Sequence, residues 1–91
     1  MKLDLNELRK EINEIDSEIV ALFKKRMAIS ASIAEYKKAH GLPILDEARE
    51  KALLERVASL SGEELEAYSV ELYRTVMELS KSYQKAKLEE S

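Results

Sequence analysis

The chain has 91 residues, of which 45% are hydrophobic and 36% are charged, and its formal net charge is −3. This composition indicates one small globular domain. It argues against a duplex-binding protein, which needs a basic face, and against a membrane-spanning protein, which needs a long uncharged apolar run. The first residues lack the pattern of a secretory signal peptide, so we expect a cytoplasmic protein.

Stability in so small a chain usually needs an additional aid: disulfides, a metal ion or oligomerisation. The sequence has no cysteine and one histidine, so the first two are not expected. It also carries no glycine-rich phosphate loop and no metal-ligand spacing, and we predict neither a cofactor nor a metal. Oligomerisation remains, and we expect more than one copy in the active protein.

The first and most regular element is a long amphipathic helix. Asp4 with Glu7 predicts a capping box at its start, with Leu3 placed to contact the helix across it, and Gly41 predicts its end. The helix is predicted over residues 5–39, a length of about 50 Å, which exceeds any core that a 91-residue chain can build. A second chain is therefore expected to cover its apolar face. The residues of that face recur at alternating spacings of three and four: Leu5, Leu8, Ile12, Ile15, Ile19 and Leu22.

Two further helices are predicted after a short connector. Pro43 indicates extended backbone, because proline ends a helix and biases its predecessor away from helical geometry. Asp46 is the expected cap of the second helix, and Ser61 with Glu64 predicts a capping box at the start of the third. The fold class is thus all-α, with helices over about residues 5–39, 47–59 and 62–88 in a single domain of residues 1–91.

Two cations interrupt the apolar face of the first helix. Arg26 continues its apolar rhythm, and Lys37 follows eleven residues later, about 16 Å along the axis and roughly 20° round it. Both side chains therefore share one face, within joint reach of a small anion. Alternatively, Arg26 pairs with a carboxylate and Lys37 extends into solvent.

The other two helices carry similar polar residues. Asp46, Arg49 and Glu50 are spaced i, i+3 and i+4 at the head of an apolar stripe. Ser80 and Gln84 lie one turn apart on the third helix. Taken singly, these residues are more simply explained as a helix cap, a solvated first turn and an ordinary polar flank.

Taken together, the polar positions and their neighbours keep one order and spacing along the chain: Leu8-Arg9-Lys10-Glu11-Ile12, Ile15-Asp16, Lys25-Arg26, Lys37, Pro43-Ile44, Asp46, Ala48-Arg49-Glu50, Ser80 and Gln84. In this the chain resembles the all-helical class of chorismate mutases, over residues 5–57 and again over 72–85. The resemblance implies an intertwined antiparallel homodimer. It also implies an isomerase that rearranges chorismate to prephenate in phenylalanine and tyrosine biosynthesis, without covalent catalysis.

The resemblance implies that four residues form an anion site. Arg26 and Arg9 of the partner subunit would bind the two carboxylates of chorismate, and Arg49 and Ser80 would complete the site. Helix geometry supports the contribution from the partner, because Arg9 lies about 25 Å from Arg26 on the same helix and about 100° round it. An antiparallel partner with a two-fold axis near Val20 would bring Arg9 beside position 31 of the other chain.

The remaining positions would act on the reacting bond and on the ring. Lys37 would contact a carboxylate and the ether oxygen of the breaking bond, and Gln84 would donate to the same oxygen. Glu50, helped by Asp46, would hold the ring hydroxyl. The predicted catalytic residues are therefore Arg9, Arg26, Lys37, Glu50 and Gln84.

Three other functions fit parts of this pattern. An isochorismate-pyruvate lyase shares the fold and much of the anion site, and the residues do not separate it from a mutase. A mutase-like module that regulates a larger enzyme is the second alternative, and a non-catalytic helical adaptor is the third. The adaptor leaves the polar residues within apolar stripes unexplained, and the complete set of binding positions argues against a purely regulatory module, so a free-standing mutase is favoured.

Overall fold

The computed structural model describes residues 4–90. These residues form three helices: α1 over Leu5–Ala39, α2 over Glu47–Ser61 and α3 over Glu66–Glu90. No strand occurs within 4–90, so the predicted all-α class with one long N-terminal helix is confirmed. The predicted contact of Leu3 lies outside the described residues.

The two ends of α1 are fixed by local hydrogen bonds. Asp4 is the N-cap, as predicted, but its carboxylate accepts from the backbone N–H of Asn6 at 2.9 Å rather than from that of Glu7. At the other end, the ring of His40 stacks on Tyr36, and its Nδ1 lies 2.8 Å from the Tyr36 carbonyl oxygen. The helix ends at Ala39, as predicted, and Gly41 follows with a φ of 67°.

The connection between α2 and α3 differs from the prediction. Ser61 does not cap α3; it is the last residue of α2, and its hydroxyl donates to the carbonyl of Val57 at 2.6 Å. Gly62 then ends α2 with a φ of 78°, and α3 begins only at Glu66. The capping box predicted at Ser61 and Glu64 is wrong, because the hydroxyl satisfies a carbonyl of its own helix instead of an N–H of the next.

The helix α3 is the centre of the fold. It packs against both α1 and α2, whereas α1 and α2 do not pack against each other. Only the C-terminal half of α1 contributes buried residues, Ser30 and Ala34. The buried apolar core is correspondingly small, and within the described chain it consists of Ala34, Val57 and Met77. None of these helices is long and apolar enough to cross a membrane.

The protein is flat and extended. Its dimensions are 57 × 29 × 14 Å and its radius of gyration is 16.8 Å, against about 12 Å for a compact domain of this length. The apolar face that the sequence predicted along α1 is exposed in the single chain, with Ile19 at 57% and Leu22 at 62% accessibility. The N-terminal half of α1 buries none of its residues in this structure.

Candidate active site

A cavity of about 290 Å³ lies between the C-terminal half of α1, the first turn of α2 and the C-terminal half of α3. Apolar side chains, among them Ile33 and Leu53, form part of its wall. Arg9 lies near the start of α1 and does not line this cavity. The other seven predicted site residues all line it: Arg26, Lys37, Asp46, Arg49, Glu50, Ser80 and Gln84.

The half-buried guanidinium of Arg26 is fixed from α3. Its Nη1 donates to the hydroxyl of Ser80 at 2.8 Å, and its Cζ lies 5.9 Å from the centroid of the Tyr73 ring. No carboxylate of residues 4–90 forms an ion pair with it. The alternative in which Arg26 pairs with a carboxylate is therefore not found among the described residues.

Lys37 is also half-buried and does not extend into solvent. Its Nζ folds back over the connector and donates to the carbonyl oxygen of Ile44 at 2.8 Å. The described part of the chain offers it no carboxylate partner. Because an ammonium has three N–H donors, two of them remain for a ligand in the cavity.

The first turn of α2 serves as a cap and as a wall of the cavity. Asp46 is the N-cap, and its Oδ1 accepts from the backbone N–H of Arg49 at 3.0 Å. Asp46 and Arg49 are exposed at the rim, whereas Glu50 is half-buried. The cap interpretation of Asp46 is thus correct, and it is compatible with a place in the cavity.

Gln84 is buried, with 7% of its surface exposed. Its side-chain oxygen is buried and has no hydrogen-bond partner among residues 4–90. Leaving such an acceptor unpaired costs about 1–3 kcal/mol. A hydrogen-bond donor from a ligand or a second chain would therefore be stabilising. A flipped side-chain amide, whose NH2 group then met an acceptor, would be stabilised in the same way. The polar end of Gln84 is therefore available to a ligand or a second chain.

Lys81 is a cavity residue that the sequence did not predict. Its Nζ lies 3.0 Å from Oε2 of Glu50 and 3.0 Å from Oε1 of Glu78, and hydrogen bonds to Glu78 and Glu50 raise the pKa of Lys81. In the sequence, Lys81 with Glu78 is an ordinary i, i+3 surface pair. Its contact with α2 depends on tertiary packing and leaves no local signal.

The charges of the cavity are opposite in sign to those of the whole chain. Four cations and two carboxylates line it, a net of +2 in a chain whose formal charge is −3. Such a local potential concentrates small anions. The residues present can bind a compact anion, pack its carbon skeleton on apolar side chains and donate hydrogen bonds to an oxygen that gains charge.

Comparison with known proteins identifies relatives of the chain. The family model for chorismate mutase type II matches residues 8–85. A chorismate mutase from Methanocaldococcus jannaschii is 36% identical over 89 residues, which cover 96% of this chain and 90% of that protein. A bifunctional chorismate mutase/prephenate dehydratase from Buchnera aphidicola is 48% identical over 59 residues, 65% of this chain and 15% of its own length. Among solved structures, a conserved hypothetical protein from Pyrococcus furiosus shares the fold with a TM-score of 0.75 and 37% identity, covering 92% of this chain and 99% of that one.

Proposed function

The chain belongs to the chorismate mutase type II family, and from this premise we propose that it converts chorismate to prephenate in the cavity between α1, α2 and α3. The observation that carries the proposal is that Arg26 and Lys37, two half-buried cations on one face of α1, have no carboxylate partner within residues 4–90. Charges so placed are costly unless an anion meets them. A substrate with two carboxylates supplies that anion.

The reaction is an intramolecular rearrangement in which one C–O bond breaks and one C–C bond forms. It requires no nucleophile and no proton transfer. The enzyme must hold a flexible dianion with its two reacting carbons close together, and proximity of this kind lowers the barrier. Arg26, whose guanidinium is fixed by Ser80 at 2.8 Å, is placed to bind one carboxylate, and Arg49 at the rim completes the anion site.

The second requirement is stabilisation of the charge that grows on the ether oxygen. We assign this to Lys37 and Gln84. Lys37 keeps two donors after its bond to Ile44, and the buried side chain of Gln84 lines the same cavity. Prepositioned donors of this kind typically contribute about 10²–10³ each in rate. Glu50, with Asp46 beside it, is assigned to the ring hydroxyl.

We further propose that the site is completed by a second copy of the chain, in an antiparallel homodimer to which Arg9 contributes in trans. Two observations support this. Arg9 lies outside the cavity of its own chain, and the apolar face of α1 is exposed over its whole length. An antiparallel pairing of two α1 helices covers that face and brings Arg9 towards the Arg26 of the other chain.

The decisive experiment follows the loss of chorismate absorbance with purified protein and identifies the product. Accumulation of prephenate is the expected result and would assign the protein to this step of aromatic amino acid biosynthesis. Isochorismate is assayed in parallel. Release of pyruvate from isochorismate, with chorismate left unchanged, would instead identify the lyase of the same fold.

A further inference from the structure

One cation of the cavity is not explained by the function proposed above. Lys81 lines the cavity from α3 and bridges two carboxylates at 3.0 Å each, those of Glu50 on α2 and Glu78 on α3. The two contacts differ in environment. The side chain of Glu50 is 26% exposed, whereas that of Glu78 is 73% exposed. The shielded contact is therefore the one that joins two helices at the cavity.

The contact with Lys81 leaves one oxygen of Glu50 available. Lys81 occupies Oε2, and within residues 4–90 the carboxylate has no other side-chain partner. A carboxylate is an acceptor with two oxygens, so a ligand group that donates a hydrogen bond can use Oε1. A neutral hydroxyl that donates to Oε1 is not repelled by the neighbouring ammonium of Lys81.

A cationic group at the same place meets a different environment. Across the width of one carboxylate and two hydrogen bonds, its nitrogen would lie no more than about 8 Å from Nζ of Lys81. Like charges at that distance in a partly shielded site repel each other. The attraction of Glu50 for a cation is thus offset by Lys81, whereas its affinity for a hydroxyl is not.

We propose that Lys81 determines specificity: its charge, held beside Glu50, makes the site select a substrate whose ring carries a hydroxyl over one whose ring carries an ammonium. The inference rests on the proposed mutase function and goes beyond it, because it assigns a determinant of specificity outside the eight predicted residues. A purely structural role for Lys81, as a link between α2 and α3, would affect all substrates alike.

The test compares two substrates in five proteins. The substrates are chorismate and its analogue with an amino group in place of the ring hydroxyl, assayed at a pH of about 6, where an aliphatic amine is protonated. The proteins are the wild type, Lys81→Met, Lys81→Gln, Lys81→Arg and Lys87→Met. Lys87 is the matched control, because it also pairs with a glutamate three residues away on α3, at 3.3 Å, but does not line the cavity.

The wild type is expected to favour chorismate. In Lys81→Met the ratio of the two kcat/KM values should fall about tenfold, mainly through a lower KM for the amino analogue, because one like charge has been removed. Lys81→Gln, which keeps a donor for Glu50 but no charge, should show a similar fall. Lys81→Arg and Lys87→Met should keep the wild-type ratio within about twofold.

Two outcomes would overturn the inference, and they are distinguishable. A wild type that converts chorismate, with ratios in Lys81→Met and Lys81→Gln within about twofold of its own, reduces Lys81 to a structural link and leaves the mutase function intact. A wild type that converts neither substrate removes the proposed function, and the specificity argument with it.

Discussion

Gln84 places a buried side-chain amide in the wall of the cavity. It is buried, yet the oxygen of its amide has no partner in the described chain. A buried polar group without a hydrogen-bond partner either lowers the stability of the protein or is satisfied when a ligand binds. Its place one turn from Ser80, which fixes Arg26 at 2.8 Å, favours the second explanation.

Replacing Gln84 with glutamate should make the activity depend on acid. At neutral pH the new carboxylate can only accept, and it repels the negative charge on the ether oxygen, so kcat/KM should fall about 10²–10³-fold. As the pH falls, the protonated carboxyl donates and activity should recover. The measurement is a profile of kcat/KM between about pH 4 and 8.

Gln84→Ala is the matched control for this substitution, because it removes the donor without adding a titrating group. It should be impaired at every pH. A Gln84→Glu profile with the same shape as that of the wild type would contradict the role assigned to Gln84.

The sequence indicates a site residue where a charge interrupts an apolar pattern, as at Arg26. It does not indicate Lys81, which interrupts no such pattern. Arg26 was visible because a charge falls in an apolar rhythm, and the structure brings it to the cavity together with Lys37. Lys81 was not visible, because its local neighbour Glu78 accounts for it as a surface pair. Its partner Glu50 lies 31 positions away in the sequence, and no local pattern reports a contact between two helices.

Among the elements, the connection between α2 and α3 depends on backbone geometry. Gly62 has φ 78° and ψ 160°, a region that is essentially restricted to glycine. A Cβ added there would meet nothing within 4 Å. The glycine is therefore required by the conformation of the chain and not by a lack of space.

Gly62→Ala should destabilise the protein by about 1–3 kcal/mol. The free energy of unfolding is measured in denaturant at one fixed protein concentration, since association would shift it. Glu63→Ala, an exposed neighbour, serves as the control and should change stability by about 0.5 kcal/mol or less. Equal stability of the two variants would show that the chain can leave α2 without the glycine conformation.

The helices themselves were predictable because their signals are periodic and local. The range of α1 agrees with the predicted residues 5–39, since a long run of apolar spacings is reinforced at both ends by caps. The start of α3 was not predictable, because Ser61 has two chemically equivalent choices. Its hydroxyl can cap the next helix or bond within its own, and the bond to Val57 at 2.6 Å is the one formed.

For the whole molecule, the dominant feature is an apolar surface that the single chain does not cover. Along α1, the exposed apolar residues continue from Leu5 to Tyr36, far more than a small soluble monomer normally presents. The same helix carries Arg9 at one end and the cavity residues at the other. Stability and the proposed chemistry therefore both call for a second chain.

Ile19→Lys should disrupt the pairing of the two chains. Ile19 lies one residue from the proposed two-fold axis, so the substitution places two like charges opposite each other in an apolar contact. The expected result is a fall in molecular mass to that of a monomer, measured by light scattering or sedimentation, together with loss of activity. Ser17→Lys adds the same charge on the opposite face of α1 and should leave the mass unchanged. Equal masses for the two variants would contradict the pairing through this face.

Mixing two inactive variants tests whether the site is shared. Arg9→Ala and Lys37→Ala should each be nearly inactive alone. After subunit exchange, half of the dimers carry one intact site, so about a quarter of the wild-type activity should return in a two-fold symmetric assembly. Exchange that is demonstrated by mass but restores no activity would rule out a contribution of Arg9 in trans.

The thickness of 14 Å has a consequence for how such a protein works in a cell. A layer this thin has little depth beyond that of one helix, about 10–12 Å, and in the homodimer proposed above each newly made polypeptide would carry the cavity without the partner's Arg9. At concentrations below the dissociation constant of the dimer, most copies of the chain would be inactive monomers. The total reaction rate would then rise with roughly the square of the expression level. The amount of protein synthesised would by itself control the activity.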